Sequence, residues 1–252
     1  MTLWTINQKF QAVGAPPPDA GPSETMLRVA EMFGIGLDES YEVTLYDGLR
    51  LDVRPGDVVF VTGPSGGGKS VLLRRLEEAI RAARTGARLV NLAAIDLAAG
   101  RPVIDLMRKP LERALRVLSL AGLADAFSLL RTAAELSDGQ RYRLRLARAV
   151  EALSPPGGAL GDPAEANGLP PPEWRVLVAD EFCSTLDRLC ARAVAYRARR
   201  LASTAGVTIL AASAHDDLVE DLAPDVLVVK QAGERVEVRY ADPSRTEGGH
   251  EA

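Results

Sequence analysis

The sequence predicts an α/β fold whose β-sheet is mostly parallel and covered on both faces. Short apolar, β-branched runs alternate with segments of helical periodicity along most of the 252 residues, which is the pattern of strand–helix–strand units. A hydrophobic content of 47% and a charged content of 25% are ordinary for a globular protein. The chain is also long enough to bury a substantial core.

The N-terminal part is predicted to be an extension followed by antiparallel strands. Residues 1–40 contain a linker rich in Pro and Gly and a short helix between Ser23 and Gly34. Residues 41–53 alternate apolar and polar side chains around the dipeptide Asp47-Gly48, which is typical of a hairpin turn. We therefore expect two antiparallel strands to precede the parallel sheet.

The other elements are predicted in order along a main domain that spans residues 41–242. Its strands are predicted within 55–63, 87–93, 175–180, 207–213, 225–230 and 234–240, and its helices within 70–84, 103–131, 139–153 and 187–203. The segment 97–153 is predicted to be a reduced helical subdomain. The stretch 154–174 is rich in Pro and Gly and is expected to be an irregular insertion. The tail 243–252 is expected to be disordered.

Composition excludes several classes of protein. A net charge of −4 provides no strong basic field for nucleic acid or an anionic membrane. The two cysteines, Cys183 and Cys190, match no zinc-site spacing and are interpreted as reduced thiols. The N-terminus lacks the pattern of a signal peptide and no apolar run reaches membrane-spanning length. These features predict a cytoplasmic protein.

A phosphate-binding loop is predicted where the strand within 55–63 meets the next helix. The stretch GPSGGGKS satisfies the pattern G-x-x-x-x-G-K-[ST] between a strand and a helix. Its glycines allow backbone N–H groups to surround an anion, and the helix directs its positive end at the same place. The predicted loop residues are Gly63, Pro64, Ser65, Gly66, Gly67, Gly68, Lys69 and Ser70. Lys69 is expected to reach the β- and γ-phosphates, and Ser70 to bind Mg²⁺.

Two adjacent acids end the apolar strand at 175–180. Asp180 is expected to hold Mg²⁺ through water, and Glu181 to polarise an attacking water. Neighbouring side chains of an extended strand point to opposite faces, so the strand must end here for both acids to serve one site. With the phosphate loop, this predicts a P-loop NTPase with a RecA-like core that binds ATP and Mg²⁺.

Four motifs in order, GPSGGGKS, ELSDGQ, VADEFCSTLD and ASAHDD, resemble those of the ATP-binding-cassette (ABC) ATPase family. The resemblance identifies Leu136–Gln140 as the signature motif, which in that family closes over the ATP held by a second subunit packed head to tail. It implies a homodimer in which Ser137, Gly139 and Gln140 sense the γ-phosphate across the interface. The start of a helix is physically suited to that role, since it favours an anion.

The same resemblance implies further site residues. Asp187 matches the acid of the loop that crosses the dimer interface, and His215 matches a switch histidine that touches the γ-phosphate. Lys69, Glu181 and His215 are then the catalytic residues. Tyr46, upstream of the phosphate loop, is a candidate to stack on adenine, with Tyr41 as a rival.

The sequence also departs from the family pattern. The family has a metal-binding glutamine between phosphate loop and signature, but none lies between Lys69 and Ser137, so Asn91 or Asp96 is expected to substitute. Asp138 replaces a signature glycine, and the span to the signature is short.

These departures favour a group of soluble ABC ATPases, some fused to acetyltransferase-like domains, that act on a protein or nucleic-acid partner. The alternative is the ATP-binding subunit of a membrane transporter. The arginines of the signature helix are predicted to form either a solvated face or a contact with a partner.

Overall fold

The computed structural model describes residues 3–13, 21–34, 36, 40–83, 86–107, 110–154, 174–231, 233 and 235–245, without the side chains of 10–13 and 40–43. The strands are β1 Leu3–Val13, β2 Ser40–Asp52, β3 Val58–Thr62, β4 Arg88–Asn91, β5 Arg175–Ala179, β6 Val207–Ser213, β7 Val226–Lys230 and β8 Val236–Tyr240. The helices are α1 Glu24–Phe33, α2 Lys69–Ala83, α3 Leu111–Leu120, α4 Ala126–Leu130, α5 Asp138–Leu153, α6 Arg188–Ala205 and α7 Val219–Leu222.

Six strands form one sheet in the order β4-β5-β6-β3-β7-β8. All neighbouring pairs are parallel except β7 and β8, which are antiparallel. Strands β3 and β6 are buried along their whole length, which explains why their sequences are uninterrupted apolar runs. The predicted α/β fold with a mostly parallel sheet is confirmed.

Successive residues of the central strands enter two separate hydrophobic cores. In β3, Val58 and Phe60 belong to one core, whereas Val59 and Val61 belong to the other. The first core contains residues of α3, α5 and α6, and the second contains residues of α2, β1 and β2. The sheet is therefore the middle layer of three, which satisfies a strand that is apolar on both faces.

The N-terminal residues belong to the domain, so the predicted extension over residues 1–40 is wrong for β1. Strand β1 pairs antiparallel with β2, from Leu3 opposite Asp52 to Val13 opposite Ser40. The predicted hairpin turn at Asp47-Gly48 is also wrong. These two residues form a bulge, in which Gly48 has a φ of 61° and donates its N–H to Asn7 Oδ1. The partner strand comes from outside residues 41–53, so β2 continues through the dipeptide.

Helix α1 spans the predicted residues and has the predicted caps. The Ser23 hydroxyl accepts the N–H of Met26 at 3.2 Å, and Gly34 ends the helix in a left-handed conformation with a φ of 64°. Its side chains contribute no buried residue. Local capping therefore defines this helix without help from the core.

The predicted helical run over 103–131 is interrupted. A 3₁₀ turn covers Val103–Leu106, and α3 begins only after Pro110, whose missing N–H suits a helix start. Gly122 has a φ of 85° and redirects the chain before α4. Proline and glycine thus divide one predicted run into three short elements. Among the described residues, no helix is long and apolar enough to cross a membrane.

The predicted insertion over 154–174 is described only at its ends. The Ser154 hydroxyl donates to the Val150 carbonyl at 2.7 Å. The Trp174 indole N–H donates to the Thr208 hydroxyl at 2.6 Å, and its ring lies 6.3 Å from that of Trp4. Residues 155–173 lie outside the described residues, so the prediction of an irregular insertion stays a prediction.

The arginines of α5 bind their own subdomain. Arg143 donates to the Gly122 carbonyl at 2.9 Å, and Arg145 donates to the Ile95 carbonyl at 3.4 Å. Each is only partly exposed. These contacts connect α5 to the loops that precede α3 and α4. The prediction for the arginines, a solvated face or a contact with a partner, did not include such a role.

A buried ion pair holds the start of the predicted tail. Arg245 Nη1 and Nη2 donate to the Asp57 carboxylate at 2.8 and 3.0 Å, and both side chains are 8% exposed. Asp57 directly precedes β3. The tail prediction is therefore wrong up to Arg245, and residues 246–252 lie outside the described residues.

We expect Arg245→Met to lower the free energy of unfolding by about 3 kcal/mol, because it leaves the buried Asp57 carboxylate without its counter-charge. Urea unfolding followed by circular dichroism measures the change. Arg239→Met is the matched control, since Arg239 pairs with Glu237 at the surface with side chains 62% and 46% exposed. Equal losses in the two variants would contradict a stabilising role of the buried pair.

Candidate functional site

The site lies at the carboxyl edge of the parallel strands. In the register of the sheet, Thr62 at the end of β3 lies opposite Ser213 at the end of β6, and Ala179 at the end of β5 lies opposite Ala211. Strand β6 separates β3 from β5, so the loops after these two strands are about 10 Å apart. The phosphate loop, the paired acids and the segment containing His215 therefore share one edge.

The phosphate loop is closed around Lys69. Lys69 is 6% exposed, and its Nζ donates to the carbonyls of Gly63 and Pro64 at 2.8 Å each. Gly63 has a φ of 139°, and a Cβ there would lie 2.0 Å from the Lys230 carbonyl oxygen. Only glycine fits this position, so β7 packs directly against the base of the loop.

The rim of the loop is open. Gly66 is exposed, and a Cβ built on it would meet no atom within 4 Å. The first N–H groups of α2 have no partner within the helix, and the exposed Ser70 lies in its first turn. The loop thus presents donors, a lysine and a hydroxyl, which fits a nucleotide phosphate and its metal ion.

Tyr46 supports the phosphate loop through a contact with Gly68. The predicted stacking of Tyr46 on adenine is wrong. The side chain is 1% exposed, and its hydroxyl donates to the Gly68 carbonyl at 3.0 Å. Lys230 Nζ lies 5.5 Å from the centre of the Tyr46 ring, and burial raises the pKa of the Tyr46 hydroxyl. A ring enclosed in this way has no free face for a base. The side chain of the rival Tyr41 lies outside the described residues.

The paired acids lie in a tight turn, as predicted from their adjacency. Strand β5 ends at Ala179, and Glu181 has a left-handed φ of 50°. Asp180 Oδ1 accepts the Glu181 N–H at 3.0 Å, and the Phe182 N–H donates to the Ala212 carbonyl at 2.6 Å. Glu181 is exposed while Phe182 is buried. The turn therefore presents Glu181 outward, and the role of Asp180 toward a metal stays a prediction.

The signature begins α5 with a capping box. Ser137 Oγ accepts the Gln140 N–H at 3.3 Å, and Gln140 Oε1 accepts the Ser137 N–H at 2.9 Å. Ser137 is exposed, and its hydroxyl proton is available for a phosphate because the oxygen is used as an acceptor. Gln140 Nε2 donates to Ser128 Oγ at 3.0 Å. The structure therefore uses Gln140, predicted to bind the cofactor, to hold the cap and α4.

Two neighbours of the cap complete this end of α5. The side chain of Asp138 is 78% exposed and forms an ion pair with Arg141 of the same helix at 2.5 Å. Its charge is therefore paired with Arg141. A Cβ on Gly139 would lie 3.2 Å from Leu186 Cδ2 and 3.3 Å from the Thr185 carbonyl oxygen. The signature glycine thus allows α5 to pack closely on the loop that follows the paired acids.

Asp187 lies at the start of α6, and His215 lines a small cavity after β6. Asp187 caps α6 by accepting the Cys190 N–H at 2.9 Å, and hydrogen bonds from Cys190 lower the pKa of its carboxyl. His215 is exposed two residues after β6 and donates its backbone N–H to Ser213 Oγ at 3.2 Å. A cavity of about 130 Å³ is lined by Ser184, Leu186 and His215 among others. The histidine and the segment that precedes Asp187 therefore line the same cavity.

The two substitutes for the missing glutamine differ in their surroundings. Asn91, at the end of β4, accepts the Ala93 N–H at 3.0 Å and donates to Glu77 at 3.2 Å. Both ends of its amide are thus already engaged. Asp96 is exposed. Neither assignment is tested, and both stay predictions.

Sequence reasoning missed two residues of the site. Lys230 is 1% exposed and packs behind the phosphate loop, where its Cγ would lie 3.4 Å from a Cβ on Gly67. Tyr142, in the second turn of α5, accepts the Cys183 N–H at 3.0 Å. The one signal in the sequence is the polar character of each residue within an otherwise apolar helix face or strand, and that signal does not identify the partner.

Curated proteins with similar sequences include methionine import ATP-binding proteins. No protein-family model matches the chain. The methionine import ATP-binding protein MetN of Streptomyces coelicolor is 32% identical over 219 residues, which cover 72% of this chain and 56% of that protein. MetN of Thermobifida fusca is 27% identical, with 88% of this chain and 73% of that protein covered. The chain thus spans little more than half the length of the first relative.

Solved structures with a similar fold are cassettes of ABC transporters. A dimeric bacterial ABC transporter cassette superposes with a TM-score of 0.54 and 18% identity over 80% of this chain and 93% of that one. The fold and the phosphate loop define a P-loop NTPase. The chain is thus similar in sequence to MetN and in fold to cassettes of ABC transporters.

If Tyr46 supports the phosphate loop, Tyr46→Phe should weaken ATP binding about fivefold, because one hydrogen bond to the Gly68 carbonyl is lost. Isothermal titration with ATP measures the affinity. Tyr196→Phe on α6, a residue that is 55% exposed, is the control. Phenylalanine keeps an aromatic face that could stack on a base. An unchanged ATP affinity of Tyr46→Phe would therefore contradict the role of the hydroxyl in supporting the loop.

Proposed function

We propose that this chain is an ABC-type ATPase that binds Mg-ATP and hydrolyses it as the ATP-binding subunit of a membrane transporter. The observation that carries the proposal is the closed phosphate loop around Lys69, next to the turn that presents Glu181. The relatives named as import ATP-binding proteins favour a transporter, although the missing glutamine and the short span to the signature led to the expectation of a soluble partner.

Each residue of the site has a role that follows from its position. Lys69 and the N–H groups at the start of α2 bind the phosphates. Ser70 would hold Mg²⁺ directly and Asp180 would hold it through water. When bound, Mg²⁺ neutralises charge that develops on the phosphoryl group. The exposed carboxylate of Glu181 orients a water for in-line attack, and His215 donates a hydrogen bond toward the γ-phosphate. The chain's own contribution is positioning and electrostatic stabilisation.

Dimer formation explains why the signature is exposed at the surface. Ser137 caps α5 but keeps a hydroxyl proton to donate, and the helix start adds a favourable field for an anion. A phosphate of ATP bound to a second copy would receive the hydrogen bond from Ser137 and the favourable field of the helix start. Two equivalent composite sites then arise from one two-fold axis, with Asp187 and its loop near the boundary.

Exposed apolar side chains on the helical subdomain support a surface for a partner. Large apolar residues of α3 and α4 are exposed by between 40% and 77%, and they are Leu111, Leu115, Leu120, Phe127 and Leu130. Exposed groups of apolar side chains mark interaction surfaces more often than chance. The soluble alternative would also need such a surface, so the identity of the partner distinguishes the two functions.

Replacing Glu181 by Gln should lower ATP turnover by about 10²–10⁴-fold while ATP still binds, because the side chain keeps its shape but loses the charge that orients water. With ATP present, the variant should elute from gel filtration at twice the mass of the chain, since bound ATP persists between the two copies. Phosphate release and light scattering give the two readouts.

The control adds Ser137→Arg to the Glu181→Gln variant. The larger side chain would obstruct the phosphate at the signature, so the double variant should bind ATP as a monomer. Turnover at the wild-type rate in Glu181→Gln would show that Glu181 is not the catalytic carboxylate. A dimer formed equally well by the double variant would contradict the role of the signature.

Affinity purification of the Glu181→Gln chain from detergent-solubilised membranes of its host should recover one multi-span membrane protein in equal amount. Phe127→Glu on α4 should reduce this recovery without changing ATP turnover of the isolated chain, because it places a charge on the proposed contact surface. Met32→Glu on α1, which is 81% exposed in the native chain, is the matched control. Recovery of a soluble protein or a nucleic acid instead would favour the alternative function.

A further inference from the structure

We propose that Tyr142 is a positioning residue whose hydroxyl holds the 180–183 turn in the conformation that presents Glu181. Tyr142 thereby joins the helix that begins at the signature to the carboxylate that acts on water. The inference rests on the proposed function, because it assigns hydrolysis to Glu181. Nothing in the motif pattern assigns this role to Tyr142.

The contact is direct and enclosed. The Tyr142 hydroxyl accepts the Cys183 N–H at 3.0 Å. Tyr142 is 9% exposed and Cys183 is 3% exposed. A buried backbone donor requires a partner, and away from water its loss is not compensated. The turn therefore needs the Tyr142 hydroxyl as the acceptor for its buried Cys183 N–H.

The turn needs external support because its backbone is unfavourable. Glu181 and Cys183 have φ values of 50° and 60°, in the left-handed region that residues with a Cβ avoid. One supporting bond is internal, from the Glu181 N–H to Asp180, and another comes from β6, between the Phe182 N–H and the Ala212 carbonyl. The bond to Tyr142 ties the end of the turn to α5.

A second contact makes the connection to α5 rigid. Gly139, one turn before Tyr142, packs against Leu186 and the Thr185 carbonyl closely enough that a Cβ there would lie 3.2 and 3.3 Å from them. Helix α5 thus touches the segment 183–186 at two successive turns. A shift of the signature would carry the turn, and with it Glu181, in the same direction.

The experiment compares Tyr142→Phe with the wild-type chain in ATP hydrolysis and ATP binding. Phenylalanine keeps the ring in the core and removes the hydroxyl that accepts the Cys183 N–H. We expect kcat to fall about tenfold, equivalent to ~1.4 kcal/mol in the activation barrier, with the ATP dissociation constant changed by less than about twofold. An equal loss of affinity, or an unchanged kcat, would overturn the proposal.

Tyr240→Phe is the matched control. The Tyr240 hydroxyl also accepts a backbone N–H, that of Asp52, at 3.0 Å, but it lies on β8 away from the turn. The control should destabilise the fold without lowering kcat at a temperature where both variants are folded. A similar loss of kcat in Tyr240→Phe would show that the effect of Tyr142→Phe is general destabilisation.

Adding Cys183→Gly to Tyr142→Phe should restore kcat to within about threefold of the wild type, because glycine adopts a left-handed φ without a Cβ penalty. Urea unfolding of both variants distinguishes this recovery from a general gain in stability, which glycine at a left-handed φ can also give. Failure of the double variant to recover any activity would therefore contradict a role for backbone conformation at Cys183.

Hydrogen–deuterium exchange tests the contact independently of hydrolysis. Peptides covering 180–186 should exchange faster in Tyr142→Phe and not in Tyr240→Phe. If the wild-type chain does not hydrolyse ATP, the proposed function fails, and exchange still decides whether Tyr142 holds the turn. Unchanged exchange across 180–186 in Tyr142→Phe would overturn the inference even if the wild-type chain is active.

Discussion

Strand β3 is paired on both edges and buried on both faces, and the rest of the site depends on this constraint. Its parallel partners β6 and β7 must end at the same edge of the sheet, because parallel strands run in one direction. The phosphate loop follows β3 directly, and the turn at 180–183 lies two strands away. Burial of both faces leaves β3 little freedom to shift, since a change of register would move apolar side chains out of both cores.

Close backbone approaches convert this sheet into a binding site. The carbonyl of Lys230 occupies the space that a side chain at position 63 would need, and Tyr46 supports the loop from the opposite end through Gly68. The turn at 180–183 is held by β6 on one side and α5 on the other. Strained or tightly packed backbone is thus concentrated at the carboxyl edge, as expected where geometry must be maintained for a ligand.

Positions of residues in contiguous motifs were predicted correctly, whereas contacts that depend on packing were not. The phosphate loop, the break in β5 before Glu181 and the exposed cap at Ser137 lie where the sequence predicts them. Tyr46 is predicted to stack on adenine but is buried against Gly68. Gln140 contacts Ser128, and its predicted role toward a nucleotide of a second copy stays a prediction. An aromatic ring or an amide has several possible partners, and its own neighbours in sequence do not select one. The roles of His215 and Asp187 toward a phosphate stay predictions.

The sequence by itself determined the alternation of strands and helices, the phosphate loop and the helix starts at Ser23 and Ser137. These features depend on side chains and backbone groups three residues apart or on short-range periodicity. Only the tertiary structure decided that β1 completes the domain, that Arg245 binds Asp57 and that Tyr142 holds Cys183. Those partners are separated by 188 residues in the ion pair and 41 in the hydrogen bond, and contacts at such separations depend on how the whole sheet and its helices pack.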